Sequence, residues 1–310
     1  MAKVLGGVFT SHVPAIGGAI QRGAENEPYW KPFFDAWPPV RQWLAEQAPD
    51  VVVMFYNDHG LNFFLDTMPT FAVGAADVYT NDDEGWGLHP FPIPAGHAAL
   101  SWAIIEKLVE EEFDVTTCQQ MLVDHAASIP LALCWPGREA PVRIVPITIN
   151  TVQHPLPSAK RCLALGRAVA KALAEWPGDE KIVVMGTGGL SHQLDGERAG
   201  FMNPEYDKFC MDNLGPDPDA LTRHSVHEMV ELAGTQGVEI LNWIAARGAM
   251  GAHVSEVSRT YHIPISNTAA AVMVYETAEA KFPGAARTGK NPAPPQAPAQ
   301  GSPPRDGPPR

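Results

Sequence analysis

The chain has 310 residues, of which 45% are hydrophobic and 18% are charged, and its formal net charge is −13. This composition is typical of a globular protein with an ample core, and the negative charge argues against nucleic acid as a partner. No apolar run approaches the ~20 residues that span a bilayer, and no signal peptide precedes the first strand, so we expect a cytoplasmic protein without membrane contact. The four cysteines are widely spaced, and we expect reduced thiols.

Strand and helix patterns alternate along most of the chain. In chain order, they predict a strand at 3–10, a helix at 28–47, a strand at 50–57, a Gly/Pro-rich loop at 85–96, a helix at 98–112, a strand at 142–150, a helix at 158–175, a strand at 181–187, a mainly helical stretch at 204–247, an extended segment at 261–265 and a strand at 269–275. Such alternation predicts an α/β fold, in which helices cover both faces of a mainly parallel or mixed central sheet. We expect one large domain over residues 1–282. In the remaining segment, 283–310, nine of the 28 residues are proline, which predicts a disordered tail.

Three of the predicted strands are followed by a histidine. These residues are His12, His59 and His192. In an open α/β sheet, ligands bind beyond the carboxyl ends of the strands, where side chains from different strands converge. Each histidine alone could be a hydrogen-bonded loop residue, but their equivalent positions predict a metal site or an acid/base site.

A carboxylate would complete such a metal site. Two histidines and one carboxylate leave coordination positions open, as in non-haem Fe(II) oxygenases. The candidate is Glu239, which we place early in a helix that Thr235 could cap. The alternative is a partly exposed first-turn glutamate that the helix dipole favours, and the pattern alone does not separate the two.

Two histidines, His192 and His125, have glycine-rich or polar surroundings. His192 follows Gly-Thr-Gly-Gly-Leu-Ser, whose glycines let the backbone approach a bound molecule, and no lysine completes a phosphate-binding loop. His192 could therefore be a third ligand or a general acid/base. His125 follows Asp124 and is either a second site residue or a helix-cap neighbour paired with that aspartate. For His59, Asn57 and Asp58 are polar neighbours that could orient the ring.

Seven motifs together resemble those of a known enzyme family. They lie at 10–17, 56–59, 83–87, 123–125, 186–193, 237–239 and 263–269. From about residue 3 to residue 276 the chain resembles the class III extradiol ring-cleaving dioxygenases, in particular the group containing the protocatechuate 4,5-dioxygenase β subunit and 3-O-methylgallate and gallate dioxygenases. The resemblance implies His12, His59 and Glu239 as Fe(II) ligands. It implies His192 as the catalytic acid/base and His125 as a second active-site histidine.

The resemblance also implies a reaction and its partners. The reaction is the O2-dependent extradiol cleavage of a carboxylated catechol or pyrogallol, such as protocatechuate, 3-O-methylgallate or gallate, in the catabolism of aromatic, lignin-derived compounds. Ser266 and Asn267 fall where the family holds the ring substituents, and Thr268 completes this polar cluster, which could equally be a turn. We expect a homodimer or a complex with a small α subunit, and a loop at 83–87 that shields the site.

Two other functions compete with this one. A zinc enzyme or a non-catalytic metal-binding relative would keep the fold and change the chemistry. An α/β hydrolase is disfavoured because the chain lacks the G-x-S-x-G nucleophile motif.

Overall fold

In the described part of the chain, the strands form a single mixed sheet. The computed structural model describes residues 1–85, 87–137 and 139–280, so the tail predicted at 283–310 lies outside the described residues. In chain order the strands are β1 (Lys3–Thr10), β2 (Val51–Tyr56), β3 (Phe71–Gly74), β4 (Thr116–Cys118), β5 (Arg143–Ile149), β6 (Lys181–Thr187), β7 (Ser255–Ile265) and β8 (Thr268–Glu276).

The sheet has the strand order β4-β3-β5-β2-β6-β1-β8-β7. Strand β6 lies between β1 and β2 and is parallel to both, and β5 continues the parallel part beyond β2. The pairs β1–β8, β3–β5 and β7–β8 are antiparallel. The predicted α/β fold with a mainly parallel or mixed sheet is thereby confirmed.

Helices pack on both faces of the sheet. They are α1 (Pro14–Arg22), α2 (Lys31–Phe34), α3 (Trp37–Gln47), α4 (Ala98–Glu110), α5 (His125–Cys134), α6 (Ala159–Glu175), α7 (Pro204–Leu214), α8 (Val226–Ala233) and α9 (Ile240–Gly248). Short 3-10 turns lie at Pro218–Thr222 and Gly237–Glu239. Within the described part of the chain, no helix combines the length and the apolar character that a membrane crossing requires.

Strand β2 shows how the sheet buries both of its faces. All six of its residues are buried. Val51, Val53 and Phe55 belong to the core cluster that includes side chains of α4, α6, α7 and α9. The alternate residues Val52 and Met54 belong to the second cluster, with side chains of α1, α3 and α5. Burial on both faces explains the continuous apolar run of this strand.

Two predicted helical stretches are subdivided. The prediction of one helix at 28–47 is wrong, because α2 ends at Phe34 and α3 begins at Trp37. Pro38 lies in the first turn of α3, where a residue without a backbone N–H starts a helix more readily than it continues one. The stretch at 204–247 divides into α7, α8 and α9, with the two 3-10 turns between them.

The strand order brings the predicted site residues to one edge of the sheet. Strands β2, β6 and β1 are neighbours, and Thr10 at the end of β1 pairs in register with Thr187 at the end of β6. Their carboxyl ends therefore open onto the same edge, where His12, His59 and His192 follow.

Candidate metal centre

Glu239 reaches the strand ends from a 3-10 turn that runs directly into α9. The predicted cap by Thr235 is wrong, since this turn has no side-chain cap and the Thr235 hydroxyl donates to Gln236 Oε1. Glu239 is only 6% exposed, so the alternative of a partly exposed first-turn glutamate is also wrong.

The Glu239 carboxylate lies between two of the strand-end histidines. Its Oε1 is 3.4 Å from His12 Nε2 and 3.4 Å from His59 Nε2. Its other oxygen, Oε2, accepts a hydrogen bond of 2.8 Å from the backbone N–H of Gly189. One carboxylate oxygen is therefore held by the backbone, while the other faces both imidazoles.

These three side chains fit a metal ion. Among the described residues, His12 Nε2 is a buried nitrogen with no hydrogen-bond partner, which is costly unless another species binds it. A separation of 3.4 Å between Nε2 and Oε1 is too long for a good hydrogen bond. It suits two donors on one ion, for which metal–nitrogen bonds are about 2.1 Å in zinc sites.

The electrostatics of the site favour metal-binding protonation states at two of the three residues. Burial opposes ionisation of Glu239, but His12, His59 and His192 outweigh it and hold its pKa well below the ordinary value. Burial lowers the pKa of His12 although Glu239 acts against it. At neutral pH, Glu239 is therefore an anion and His12 is neutral, as metal ligands must be.

His59 takes up a proton when no metal is present. Burial disfavours its charged form, but the hydrogen bond to Asp124 and the nearby Glu239 carboxylate prevail and raise the pKa of His59 to about 10. A metal ion at His59 Nε2 has to displace that proton.

Asp124 orients the His59 ring. Its Oδ2 accepts from both the backbone N–H and the Nδ1–H of His59, each at 2.9 Å, and its Oδ1 caps α5 by accepting from Ala126 N–H. The His59 Nε2 atom consequently faces Glu239. The predicted orienting role of Asp58 is wrong, because its carboxylate accepts from the backbone amides of residues 60–63.

Asn57 is the polar neighbour that does reach the centre. Its Nδ2 lies 3.2 Å from Glu239 Oε1 and 3.1 Å from His59 Nε2. Its Oδ1 accepts from Asn242, which also donates to the Thr187 carbonyl. Asn242 on α9 thus fixes which end of the Asn57 amide faces the carboxylate. Sequence reasoning did not single out Asn242, since an asparagine in a helix has no distinguishing pattern.

The glycines before His192 make room for the centre itself. Gly188 has φ +114°, and a Cβ atom there would lie 2.7 Å from Glu239 Cβ and 3.2 Å from His12 Cε1. We predicted from the sequence that these glycines approach a bound molecule. The structure shows that Gly188 approaches two of the candidate ligands.

His192 presents one defined ring nitrogen to the centre. The side chain is buried, and its Nδ1 lies 2.8 Å from the Leu190 carbonyl oxygen. Because a carbonyl only accepts, Nδ1 carries the proton and Nε2 of the neutral ring is an acceptor. Nε2 lies 3.9 Å from Glu239 Oε2.

His125 is the first residue of α5, and its ring centre is 4.3 Å from that of His59 and 5.5 Å from that of His12. Ligand atoms of these three histidines all lie within 4.8 Å of one another, so they too could hold a metal ion. The alternative of a helix-cap neighbour describes its position, since Asp124 is the N-cap of α5, but Nδ1 of His125 has another partner. That atom lies 2.5 Å from Oε2 of Glu84, a residue of the 83–87 segment.

The predicted polar cluster occupies the turn between β7 and β8. Ser266 and Asn267 are exposed, and the backbone N–H of Ser266 donates to the Tyr29 hydroxyl at 2.7 Å. Thr268 is buried and forms an isolated antiparallel bridge with His192. The turn is therefore connected to the metal centre through the main chain of Thr268.

Comparisons with known proteins identify the family of the chain. The family model described as the catalytic LigB subunit of aromatic ring-opening dioxygenase matches residues 6–273. The chain is 38% identical over 202 residues to the gallate dioxygenase of Pseudomonas putida KT2440. The matched region covers 65% of this chain and 59% of that enzyme, less than two thirds of its length. It is 30% identical over 261 residues to a 2,3-dihydroxyphenylpropionate/2,3-dihydroxicinnamic acid 1,2-dioxygenase of Rhodococcus sp., with 70% of this chain and 81% of the relative covered.

A solved structure shares the fold. An uncharacterized protein from Escherichia coli K12 superposes with a TM-score of 0.54 at 16% sequence identity, over 87% of this chain and 99% of that chain. At this identity the similarity supports the fold alone.

Proposed function

Because the chain belongs to the LigB family of aromatic ring-opening dioxygenases, we propose that it catalyses the Fe(II)-dependent extradiol cleavage of a carboxylated catechol or pyrogallol with O2. The family match confirms the resemblance found in the sequence. Gallate is named as the substrate of the Pseudomonas relative and 2,3-dihydroxyphenylpropionate as that of the Rhodococcus relative. Both are aromatic acids with adjacent hydroxyl groups, as are protocatechuate and 3-O-methylgallate, the other substrates that we propose.

The position of Glu239 Oε1, 3.4 Å from both His12 Nε2 and His59 Nε2, carries the proposal. Two histidines and one carboxylate on one side of an ion are the ligand set of non-haem Fe(II) oxygenases. When bound, Fe(II) supplies open coordination positions and one-electron chemistry, which O2 requires to react with a catechol.

His192 is the proposed acid/base. Its Nδ1–H is engaged by the Leu190 carbonyl, which leaves Nε2 to accept a proton from a substrate hydroxyl. The same atom can return that proton as the ring opens. Burial of His192 keeps bulk water from competing for the proton.

The turn at Ser266 and Asn267 is the proposed contact for the ring substituents. Both residues are exposed, and Thr268 joins them to the main chain of His192. This position supports a contact with the part of a substrate that projects away from the metal. The homodimer and the small α subunit stay predictions.

The function is tested by loading the metal-free protein with Fe(II) under anaerobic conditions and measuring O2 uptake. The substrates are protocatechuate, gallate, 3-O-methylgallate and 2,3-dihydroxyphenylpropionate, and mass spectrometry identifies the products. We expect one O2 consumed for each ring opened and both oxygen atoms in an extradiol product. Glu239→Gln is the matched control, since it keeps the shape of the side chain and removes its charge.

Stoichiometric zinc in the purified protein, with no Fe(II)-dependent O2 uptake for any of the four substrates, would contradict the proposal. That result would favour a zinc enzyme with the same fold. Products cleaved between the two hydroxyl-bearing carbons would contradict the extradiol assignment.

A further inference from the structure

A buried carboxylate outside the proposed ligand set binds the residue that precedes His192. Asp207 lies in α7 and is 1% exposed. Its Oδ1 accepts from the Ser191 N–H at 2.8 Å, and its Oδ2 accepts from the Ser191 hydroxyl at 2.6 Å and from the Tyr261 hydroxyl at 2.7 Å. The sequence pattern did not assign a role to Asp207.

The first of these hydrogen bonds orients a peptide group that also binds the His192 ring. The Ser191 N–H and the Leu190 carbonyl belong to one planar peptide unit, in which they point in opposite directions. Asp207 Oδ1 binds the N–H on one side, and the Nδ1–H of His192 donates to the carbonyl on the other side at 2.8 Å. The carboxylate and the imidazole are therefore linked through a single peptide group.

The charge of Asp207 strengthens this link. All three groups that bind the carboxylate are donors, which is the arrangement that suits its ionised form. Burial raises the pKa of Asp207, and the hydrogen bonds from Ser191 and Tyr261 act against that rise. A hydrogen bond to an ionised group is roughly twice as strong as one between neutral groups. It also polarises the peptide, which makes the Leu190 carbonyl a better acceptor.

The other polar groups of Ser191 are also engaged, so the residue has one defined position. Its hydroxyl accepts from the Asn203 N–H at 2.7 Å, which directs the hydroxyl proton to Asp207. Its carbonyl accepts from the Ala269 N–H at 3.2 Å. Asp207 takes part in two of these four hydrogen bonds and is therefore the main anchor of Ser191.

The main chain of His192 itself is attached to the turn that carries Glu239. The His192 N–H donates to the Ala233 carbonyl at 2.8 Å, and the Gly237 N–H donates to the His192 carbonyl at 3.1 Å. Gly237 begins the 3-10 turn that ends at Glu239. These contacts fix the backbone of His192 relative to the proposed metal position, whereas the orientation of its ring depends on the Leu190 carbonyl.

We propose that Asp207 is a positioning residue, which holds the peptide between Leu190 and Ser191 so that its carbonyl keeps the His192 proton on Nδ1 and directs Nε2 to the substrate hydroxyl. This inference rests on the proposed function, in which that Nε2 accepts a proton. It also gives a reason for a charge buried in α7, which without a task would only cost free energy.

The first measurement reads the tautomer of His192 in the full-length, metal-free chain with 15N-labelled histidine. Long-range 1H–15N correlation spectra distinguish a protonated Nδ1 from a protonated Nε2, and His192→Ala identifies the His192 signals by their loss. We expect the Nδ1–H form in the wild-type protein and a smaller fraction of it in Asp207→Ala, which removes the acceptor of the Ser191 N–H. Asp207→Asn keeps one oxygen but not the charge, so its spectrum should fall between the two.

The second measurement is the turnover of the Fe(II)-loaded variants. Asp207→Ala should retain the wild-type iron content and lower kcat by roughly 10–100-fold, the scale expected when a reacting group is misplaced by about 1 Å, and Asp207→Asn should lose less. In the His192→Ala background there is no ring to position, so Asp207→Ala should lower kcat no further. Glu205→Ala is the matched control. It removes an exposed carboxylate two residues earlier in α7 and should behave as wild type.

A wild-type protein that consumes O2 with Nε2 protonated on His192 would overturn the inference, and this result needs no variant to fold. An unchanged tautomer and kcat in Asp207→Ala would also overturn it, and Asp207→Asn carries the same comparison if the alanine variant does not fold. A loss of kcat that is equally large in the His192→Ala background would show a merely structural role. A tautomer that shifts as expected in a protein that consumes no O2 with any of the four substrates supports the positioning by Asp207 and contradicts the proposed function instead.

Discussion

Gly188→Ala tests whether the close approach of the backbone to Glu239 shapes the metal centre. The added Cβ would lie 2.7 Å from Glu239 Cβ, 3.0 Å from its Oε2 and 3.2 Å from His12 Cε1. Ordinary contacts between carbon atoms are about 3.5–4.0 Å, so the Glu239 side chain has to move away from the added Cβ by roughly 1 Å. The left-handed backbone at φ +114° adds strain for any residue with a side chain.

The expected losses of metal affinity and of stability follow from these distances and from the backbone conformation. Glu239 Oε1 is equally far from His12 Nε2 and His59 Nε2, so the three atoms can bind one ion. After a shift of roughly 1 Å, Oε1 no longer lies where it can bind the same ion as both histidines. We expect a loss of about 10–100-fold in metal affinity, or ~1.4–2.8 kcal/mol. The backbone strain should lower the free energy of unfolding by a further ~1–3 kcal/mol.

Anaerobic titration calorimetry with Fe(II) measures the affinity, and chemical denaturation of the metal-free protein measures the stability. Gly60→Ala is the matched control, because Gly60 follows His59, has φ +86°, and a Cβ there meets no described atom within 4 Å. This control should lose stability but retain its metal affinity. Wild-type affinity in Gly188→Ala, or an equal loss in Gly60→Ala, would refute the steric argument.

Three further predictions concern the proposed ligands and the acid/base. Glu239→Ala should leave the purified protein without stoichiometric iron, as measured by mass spectrometry of the metal content; iron bound as in wild type would exclude Glu239 as a ligand. His192→Ala should keep its iron and slow turnover by about 10²–10⁴-fold, and a loss of iron would make His192 a ligand. Metal binding at pH 8 should release about one proton, because the pKa of about 10 keeps His59 protonated without metal, while Glu239 and His12 already have the protonation states of ligands. Metal affinity should accordingly rise about tenfold per pH unit up to that pKa, and calorimetry in two buffers of different ionisation enthalpy that shows no proton release would contradict the assignment of His59.

The strand-end histidines could be predicted because their signal is local. In each of the three cases an apolar strand is followed by a polar residue and then the histidine. Parallel strands place the residues after their carboxyl ends at one edge of the sheet. His12, His59 and His192 therefore came together as expected. The strand β3 was missed because only four residues form it, and α5 because its ten residues are buried almost all round and show no helical periodicity.

The partners of the site residues could not be predicted, because they depend on distant contacts. Asp58 is next to His59 in the chain, yet its carboxylate binds the following turn, and Asp124 orients the ring instead. Glu84 reaches His125 across 41 positions. Such pairings are fixed by the packing of loops at the sheet edge, which no short-range pattern encodes.

The wide separation of the proposed ligands along the chain links metal binding to folding. His12 follows β1, whereas Glu239 directly precedes α9, so most of the fold between them has to be in place before the two meet. A metal ion that binds only this assembled form stabilises the entire fold by mass action. A nascent or truncated chain that ends before the 3-10 turn at Gly237–Glu239 lacks the carboxylate, and the metal should enter only after synthesis of the domain is nearly complete.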